Sequence, residues 1–274
     1  MIATADKLEA LRAQLHGYGS CLVAYSGGVD SVLLARVAHD VLGGRALAVI
    51  ADSPSLPRRE LNEALAIAKA FQFRVRVVQT AEFENHDYTA NPANRCYFCK
   101  HELFEKLTAI AKAENFAVIA YGENASDMAD FRPGAKAAGE FQVRAPLKEA
   151  GLTKAEIRQL SAQLGLPTAD KPQLACLSSR VPQGELVSVE KLRMIEAAEN
   201  VLRDLGFHDV RVRHHEFSDQ KHNGGHRSLA RIEVGTAELP TFLCNGVAAR
   251  VAGALKQIGY AHVTVDLQGY CRPA

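Results

Sequence analysis

The sequence has no run of about 18 apolar residues, the length a membrane-spanning helix needs, so no membrane span is expected. It also has no tail or block of like charge, and its formal net charge is +1. Nucleic-acid-binding proteins usually carry a clearly basic face, so nucleic acid is disfavoured as the main partner. The first segment has helical spacing and lacks the apolar core of a secretory signal. We therefore expect a cytoplasmic protein.

Two common nucleotide-binding motifs are also missing. G-x-x-x-x-G-K-[ST] occurs nowhere, and G-x-G-x-x-G does not occur at the first predicted strand–helix junction, which reads AYSGGVDS (24–31). Paired glycines let a backbone turn tightly and approach a ligand, and N–H groups at the start of the next helix attract an anion. Ser26 and Ser31 add hydroxyl donors, whereas Asp30 suits an anion site only by binding a divalent cation or orienting the loop. A plain glycine turn is the alternative, but the full pattern favours nucleotide binding.

Strand-like and helix-like segments alternate through the first two-thirds of the 274 residues. Short apolar runs predict the strands, and apolar residues at helical spacing predict the helices between them. This order predicts an α/β fold in which a parallel sheet has helices on both faces. The predicted strands are 20–26, 46–52, 74–80 and 116–122, and the predicted helices are 31–43, 58–73, 100–113 and 151–167.

The last of these helices has strong local start signals. Thr153 and Glu156 have the spacing of a capping box, and Leu152 with Ile157 can form a hydrophobic staple across it. After about residue 183 the order changes to a helix, two strands, a mostly helical segment and a final strand. We therefore predict two domains: 1–183 for nucleotide binding, and a smaller α+β domain at 184–274 for substrate binding or oligomerisation.

A long polar loop is predicted at residues 216–227, between the first two strands of the second domain. Histidines in and near this loop are candidate metal ligands, although a long polar loop is more typical of solvated surface. The histidines concerned are His214, His215, His222 and His226.

The six cysteines are expected to be reduced in the cytoplasm, where a C-x-x-C pair is more typical of metal binding or catalysis than of a structural disulfide. Cys96 and Cys99 form such a pair in NRCYFCK; a structural zinc site would need four protein ligands, and unliganded thiols are the other alternative. Cys176 lies in DKPQLACLSSR, where the cation of Arg180 favours the thiolate; the alternative is a buried structural cysteine. The remaining cysteines are interpreted as structural: Cys21, Cys244 and Cys271.

The loop SGGVDS resembles the PP-loop of ATP pyrophosphatases, which cleave ATP between the α and β phosphates and transfer AMP to a substrate oxygen. Long ordered strings extend the resemblance over nearly the whole chain to one family of this class, the LarE-type sulfur transferases; the long 216–227 loop is a departure. The strings are ADSPSLPRREL (51–61), RCYFCK (95–100), GENASDMADFRPG (122–134), APLKEAGLTKAEIR (145–158), DKPQLACLSSRVPQG (170–184), VRVRHH (210–215), ARIEVG (230–235) and VTVDLQGY (263–270).

The resemblance implies a substrate, pyridinium-3,5-biscarboxylic acid mononucleotide, and a place in making the nickel-pincer nucleotide of lactate racemase. ATP with Mg²⁺ would adenylate each carboxylate, and sulfur would displace AMP to leave a thiocarboxylate. In one branch of the family the cysteine matching Cys176 gives up its sulfur and becomes dehydroalanine. In another branch three cysteines hold a [4Fe–4S] cluster whose open iron carries sulfide, and Cys96, Cys99 and Cys176 match that branch. The resemblance also implies a homo-oligomer.

The resemblance further assigns ATP residues, in positions that fit ligand binding beyond the ends of parallel strands, and the arginines are candidates to hold the substrate's phosphate and carboxylate by their chemistry. Arg211 and Arg213 alternate with valines and so point to one strand face; arginine suits planar anions, although a solvated face is the alternative. Asp127 is either a Mg²⁺ ligand or a helix cap. The ATP candidates are Ser26, Gly27, Gly28, Asp30, Ser31, Ala51, Asp52, Ser53, Gly122, Asn124 and Asp127. The substrate candidates are Arg180, Arg211, Arg213 and Glu199.

Three other functions stay open at this point. A tRNA 2-thiolation enzyme has the same loop and the same use of sulfur as the nucleophile, but the near-neutral net charge of this chain disfavours it. An ammonia-using amide ligase of the PP-loop class would keep its activity when Cys176 is replaced by alanine. A nucleotide-binding module without catalysis would show no substrate-dependent exchange of pyrophosphate into ATP.

Overall fold

The computed structural model describes residues 3–129, 133–173, 175–219, 225–244 and 246–270. The chain folds into two compact units: unit 1 is Met1–Tyr88 with Ala93–Leu174, and unit 2 is Thr89–Pro92 with Ala175–Ala274. The predicted boundary at 183/184 lies inside unit 2. Cys271 and His222, interpreted above as a structural cysteine and a candidate metal ligand, lie outside the described residues.

Unit 1 is a four-stranded parallel sheet with helices on both faces, as predicted. All four residues of its first strand are buried, which is typical of a central strand in a covered parallel sheet. The strands are β1 (Cys21–Ala24), β2 (Ala46–Asp52), β3 (Val75–Gln79) and β4 (Val118–Tyr121). The helices are α1 (Thr4–Tyr18), α2 (Val29–Leu42), α3 (Arg58–Ala70), α4 (His86–Thr89), α5 (Arg95–Glu114), α6 (Pro133–Glu140), α7 (Pro146–Glu149) and α8 (Lys154–Gln163).

The strand order β3-β2-β1-β4 creates the position for a ligand. The chain moves outward from β1 to β2 and β3, then returns to place β4 on the other side of β1. Residues of α1, α2, α3 and α8 pack on one face of the sheet, and residues of α5 and α6 pack on the other. The carboxyl ends of β1 and β4 therefore mark a topological switch point, which is where open α/β sheets bind ligands.

Helix α5 differs from its prediction because it starts at Arg95 rather than at residue 100. Cys96 and Cys99 therefore lie in its first turns instead of in a preceding loop. Cysteine, tyrosine and phenylalanine are weak helix formers, so the local sequence places the start too late. Tertiary packing overrides that preference: in the first turns of α5, the hydroxyl of Tyr97 donates to Glu140 Oε2 on α6 at 2.8 Å.

Helix α8 starts with the predicted capping box. The N–H of Thr153 donates to Glu156 Oε2 at 2.8 Å, and the N–H of Glu156 donates to Thr153 Oγ1 at 3.4 Å. Lys7 on α1 donates from Nζ to Glu156 Oε1 at 2.7 Å and to the carbonyl of Gly151 at 2.8 Å. The hydrogen bond from Lys7, opposed in part by burial, lowers the pKa of Glu156 to about 2.

We expect Glu156→Gln to lower the free energy of unfolding by about 1 kcal/mol at neutral pH, because glutamine can keep the capping box but loses the ion pair with Lys7 and the negative charge at the start of α8. A carboxylate with a lowered native pKa stabilises the fold above its unfolded pKa, and this contribution disappears as the pH falls through the native value. The difference between wild type and variant should therefore shrink as the pH falls from 4.5 to about 2 in urea unfolding curves. Glu9→Gln, at an exposed ion pair with Arg12, is the control, with an effect within about 0.5 kcal/mol. An equal difference at both ends of that pH range would contradict the prediction.

Unit 2 has the predicted α-β-β-α-β order around a three-stranded sheet, β5-β6-β7. The first pair of strands is antiparallel and the second pair is parallel. The strands are β5 (Val210–Asp219), β6 (Gly225–Val234) and β7 (His262–Val265), and the helices are α9 (Val189–Asp204), α10 (Leu239–Leu243) and α11 (Val247–Ile258).

The extent predicted for the polar loop at 216–227 is wrong. The β5–β6 ladder runs from the pair Val210–Val234 to the pair Asp219–Gly225, so both strands continue into the predicted loop. Polar residues alternate along an exposed hairpin as readily as in a loop, so composition alone misplaced the strand ends. His214 is a core residue whose Nδ1 lies 3.3 Å from the hydroxyl of Tyr260, and burial lowers its pKa to about 4.

Among the helices that the structure describes, none combines the length and the apolar character that a membrane span requires.

Candidate functional site

The loop between β1 and α2 accepts only glycine at one position. Gly27 has a φ of +73°, and a Cβ built there would lie 2.7 Å from the Cβ of Ala64 on α3. Gly28, which has no side chain to cap the helix, is the N-cap residue of α2. The first turn of α2 therefore presents its N–H groups and the positive end of its dipole at the switch point, where an anion is favoured.

Ser31 braces this loop from inside the first turn of α2. Its Oγ accepts from the N–H of Ser26 at 3.1 Å, lies 3.0 Å from Ser26 Oγ, and donates to the carbonyl of Gly28 at 3.1 Å. Ser31 is buried, whereas Ser26 is exposed. The structure thus places the two predicted hydroxyl donors together, with Ser31 in a position to shape the loop and Ser26 at its surface.

Asp30, the anomalous acid in the predicted anion site, forms an ion pair with Lys154. Lys154 Nζ donates to Asp30 Oδ2 at 2.5 Å, and Asn124 Nδ2 donates to Asp30 Oδ1 at 3.4 Å. Lys154 is the first residue of α8 and lies 124 positions from Asp30. The sequence analysis missed this cation, because no local motif marks it and only the fold brings it to the loop.

The segment after β4 meets the start of α2 at close range. A Cβ built on Gly122 would lie 3.0 Å from the N of Ser31 and 3.1 Å from the Cβ of Asp30, so the glycine permits this approach. Asn124 N and Nδ2 donate to Asp127 Oδ2 at 3.1 and 2.9 Å. Asp127 is the third residue of the 3₁₀ turn Ala125–Ala129 and accepts from the residue before that turn, so its assignments as a Mg²⁺ ligand and as a helix cap both stay predictions.

The end of β2 forms the third side of the same sheet edge. Asp52 accepts hydrogen bonds from Arg58 Nη1 and, at 2.9 Å, from Gln79 Nε2. Arg58 also donates to the carbonyl of Ser53 at 2.8 Å. The predicted adenosine-binding residues Ala51–Ser53 thus lie at the carboxyl end of β2, on the same edge of the sheet as the glycine loop. Arg58 holds their backbone through its hydrogen bond to the carbonyl of Ser53.

Cys96 and Cys99 lie three residues apart on α5, so both thiols belong to one face of the helix. Cys96 is exposed and Cys99 is partly exposed. Both belong to unit 1, whereas Cys176 belongs to unit 2. Across the described ranges, no group of three or more His, Cys, Asp or Glu residues is arranged to hold a metal ion. The assignment of a [4Fe–4S] cluster to the three thiols stays a prediction.

Cys176 is partly exposed and immediately precedes the short 3₁₀ turn Leu177–Arg180. Its carbonyl accepts from Ser179 N at 3.0 Å, from Ser179 Oγ at 2.8 Å and from Arg180 Nη1 at 3.0 Å. Arg180 and Glu199, both predicted to bind substrate, are 2% and 0% exposed and pair with each other through Nε–Oε1 at 2.8 Å. Their contacts are thus internal to unit 2.

Arg211 and Arg213 lie on one face of β5, as the alternation predicts. Arg213 donates from Nη1 to the carbonyl of Ser179 at 2.8 Å, which connects the Cys176 turn to this face. The guanidinium of Arg211 lies over the ring of Tyr270 at 4.4 Å from its centroid. Burial, together with the charges of Arg180 and Arg213, lowers the pKa of Arg211. A guanidinium crowded by like charges is a favourable place for an anion.

The neighbouring strand adds two residues that the sequence analysis did not select. Glu233 Oε1 accepts from Arg213 Nε at 3.0 Å and from Arg231 Nη2 at 3.1 Å, and Arg231 Nη1 also donates to Asp266 at 3.0 Å. Arg213 and Arg231 pair directly across the strands. The sequence did contain a signal for them: Arg231 and Glu233 are two positions apart in ARIEVG, and residues two apart share one face of a strand.

The sheet order, the glycine loop at its switch point and the family comparison define a class of protein. Residues 5–130 match the family model described as NAD synthase. The chain is also 27% identical to the glutamine-hydrolysing GMP synthase of Pseudomonas entomophila, over 59% of this chain and 34% of that protein. The chain has the fold of the PP-loop enzymes that use ATP, and this class implies ATP and Mg²⁺ as cofactors.

Two relatives match over almost the whole chain. An uncharacterised protein of Synechocystis sp. is 45% identical over 97% of this chain and 95% of its own length. The pyridinium-3,5-bisthiocarboxylic acid mononucleotide synthase of Lactiplantibacillus plantarum is 32% identical over 98% of this chain and 94% of its own length. The chain belongs to the family of that synthase, the LarE-type ATP-dependent sulfur transferases of the PP-loop class.

Proposed function

We propose that this sulfur transferase converts the carboxylates of pyridinium-3,5-biscarboxylic acid mononucleotide to thiocarboxylates, as a step in making the nickel-pincer nucleotide of lactate racemase. The observation that carries the proposal is the similarity, over 98% of the chain, to a synthase named for the bisthiocarboxylic product. Arg211 and Arg213 on β5 and Arg231 on β6 support it. The substrate has a phosphate and two carboxylates, which guanidinium groups bind well.

The first step is adenylation, for which unit 1 offers an anion site. A carboxylate oxygen of the substrate attacks the α-phosphorus of ATP, the bond to the bridging oxygen breaks, and pyrophosphate leaves. The first turn of α2 and the hydroxyl of Ser26 bind the phosphates. The carboxylate of Asp127 suits Mg²⁺, which prefers oxygen ligands and would offset phosphate charge when bound.

The second step transfers sulfur to the adenylated carbonyl. In the sacrificial route the thiolate of Cys176 attacks the carbonyl carbon, and the bond from that carbon to AMP breaks. Removal of the Cα proton then expels the sulfur from Cβ, which leaves a thiocarboxylate on the substrate and dehydroalanine at position 176. Each chain supplies one sulfur atom by this route.

We propose instead that Cys96, Cys99 and Cys176 hold a [4Fe–4S] cluster. Three thiolates leave one iron open to carry sulfide, and the placement of two of them on one helix face of α5 supports this ligand set. By this route the chain is not consumed.

We further propose that the enzyme is cytoplasmic and works as a homo-oligomer. We also propose that Arg211 and Arg213 bind the substrate's phosphate and carboxylate groups.

An assay with purified protein, ATP, Mg²⁺, a sulfide source and the mononucleotide tests the reaction. AMP, pyrophosphate and a thiocarboxylate product seen by mass spectrometry would support the proposal. Adenylation followed by an amide product with ammonium would favour the ligase alternative. Salt-sensitive binding of tRNA with thiolation of the tRNA would favour the tRNA alternative. Absence of pyrophosphate exchange into ATP would favour the nucleotide-binding module without catalysis.

Anaerobic purification with iron and sulfide analysis tests the source of sulfur. The cluster route predicts bound iron that is lost in Cys99→Ala. Loss of one H₂S from Cys176 after turnover, measured by mass spectrometry, would establish the sacrificial route.

We expect Lys154→Met to raise the Kd for Mg²⁺-ATP by about tenfold, equivalent to about 1.4 kcal/mol. The variant leaves the Asp30 carboxylate without its cation beside the phosphates, and it removes a cation that the phosphates can share. Isothermal titration calorimetry measures the Kd. Lys106→Met removes an exposed lysine paired with Glu102 on α5 and is the control, with an unchanged Kd. Equal values for both variants would contradict a role for Lys154 in ATP binding.

A further inference from the structure

Arg180 connects the backbone at Cys176 to a carboxylate in the core of unit 2. Its Nη1 donates to the carbonyl of Ala175 at 2.6 Å and to that of Cys176 at 3.0 Å. Its Nε and Nη2 donate to the two carboxylate oxygens of Glu199 at 2.8 and 3.3 Å. One planar guanidinium therefore spans the turn that carries the thiol and helix α9.

Glu199 is itself held from two further directions. The N–H of Val212 on β5 donates to its Oε1 at 3.2 Å, and Arg203 on α9 donates to its Oε2 at 3.1 Å. Glu199 is 0% exposed, so it presents no surface to a substrate within unit 2. These bonds join α9, β5 and the Cys176 turn through a single buried carboxylate.

We propose that Arg180 and Glu199 form a positioning pair that fixes the backbone at Cys176 and so aims its sulfur, in place of the substrate-binding role predicted from the sequence. The inference rests on the proposed function, in which Cys176 takes part in sulfur transfer. A thiol on a fixed Cα samples few side-chain rotamers, so less orientational freedom is lost when it reaches its reaction partner. Arginine suits this task because its rigid fork serves a carboxylate and neighbouring carbonyls together, which a lysine ammonium does not.

Arg180→Lys is the test, because it keeps the positive charge near the thiol and removes only the fork. The rate of alkylation of Cys176 by iodoacetamide, read from its peptide by mass spectrometry at matched iron content, should rise about tenfold as the turn opens more often. Product formation should fall by about 10²-fold in kcat, with the KM for ATP and pyrophosphate exchange retained. Arg193→Met is the matched control, since Arg193 is exposed on the same helix α9 and contacts neither Glu199 nor the turn; it should leave both rates unchanged.

The alkylation rate is measured without the sulfur-transfer reaction, so the experiment can reject the positioning pair and the proposed function independently of each other. Absence of product in wild type would remove the function and leave the alkylation comparison intact. A wild-type alkylation rate in Arg180→Lys would overturn the positioning pair, even if product formation fell. If Arg180→Lys does not fold, Glu199→Gln serves in its place, because it keeps the side-chain shape and weakens the same link; an unchanged alkylation rate there would also overturn the proposal.

Discussion

Cys176→Ala is expected to lower thiocarboxylate formation by at least about 10³-fold, the scale seen when a reacting group is removed outright. Both routes for sulfur need this thiol: one as the donor itself, the other as a cluster ligand. Exchange of pyrophosphate into ATP should be retained, because adenylation uses the glycine loop of unit 1 and no sulfur atom. Product by mass spectrometry and radiolabelled exchange are the two measurements.

Cys244→Ala is the matched control for this prediction, since Cys244 also belongs to unit 2 and is exposed. It should keep both activities. Retention of product by Cys176→Ala would remove the sulfur role of this residue and favour the amide-ligase alternative. Loss of pyrophosphate exchange together with product would instead indicate that the substitution disturbs substrate binding.

Gly27→Val should unfold the nucleotide loop and abolish ATP binding. A φ of +73° is costly for a β-branched residue, and its Cβ would lie 2.7 Å from Ala64, whose own Cβ is held in the core on helix α3. Strain and overpacking together should lower the free energy of unfolding by about 3 kcal/mol. Urea unfolding without nucleotide measures the loss of stability, and calorimetry measures ATP binding.

Gly28→Ala is the neighbouring control for stability. The φ of Gly28 is −83°, and the nearest atom to a Cβ there, Ser26 Oγ, lies at 3.5 Å, an ordinary contact. Its free energy of unfolding should change by less than about 1 kcal/mol. Similar destabilisation in the two variants would show that the effect of Gly27→Val does not come from the left-handed backbone and the contact with Ala64.

Much of unit 1 was predictable because its signals are local. Apolar runs mark β1 and β2, helical spacing marks α2 and α3, and the capping box of Thr153 and Glu156 forms as its spacing indicates. The glycine loop was recognisable for the same reason. It needs two glycines, two hydroxyls and a helix start within a few residues, and all of these are adjacent in the chain.

Signals that depend on packing were missed or misplaced. The start of α5 fell too late because residues with low helix propensity form its first turns. The predicted lengths of β5 and β6 were too short because the sequence of a polar hairpin resembles the sequence of a loop. Arg180 and Glu199 were predicted as separate substrate ligands, since nothing in their neighbourhoods indicates that they lie within hydrogen-bonding distance of each other.

The sequence by itself determined the class of fold, the glycine loop, the capped helix and the cysteines to which we assign the sulfur chemistry. These rest on residues a few positions apart, whose spacing dictates their geometry through the helical and strand repeats. Only the tertiary structure decided which distant charges meet: Lys154 with Asp30, and Arg180 with Glu199 behind Cys176. Such pairs form because folding buries them together, and no local repeat relates two residues that far apart in the chain.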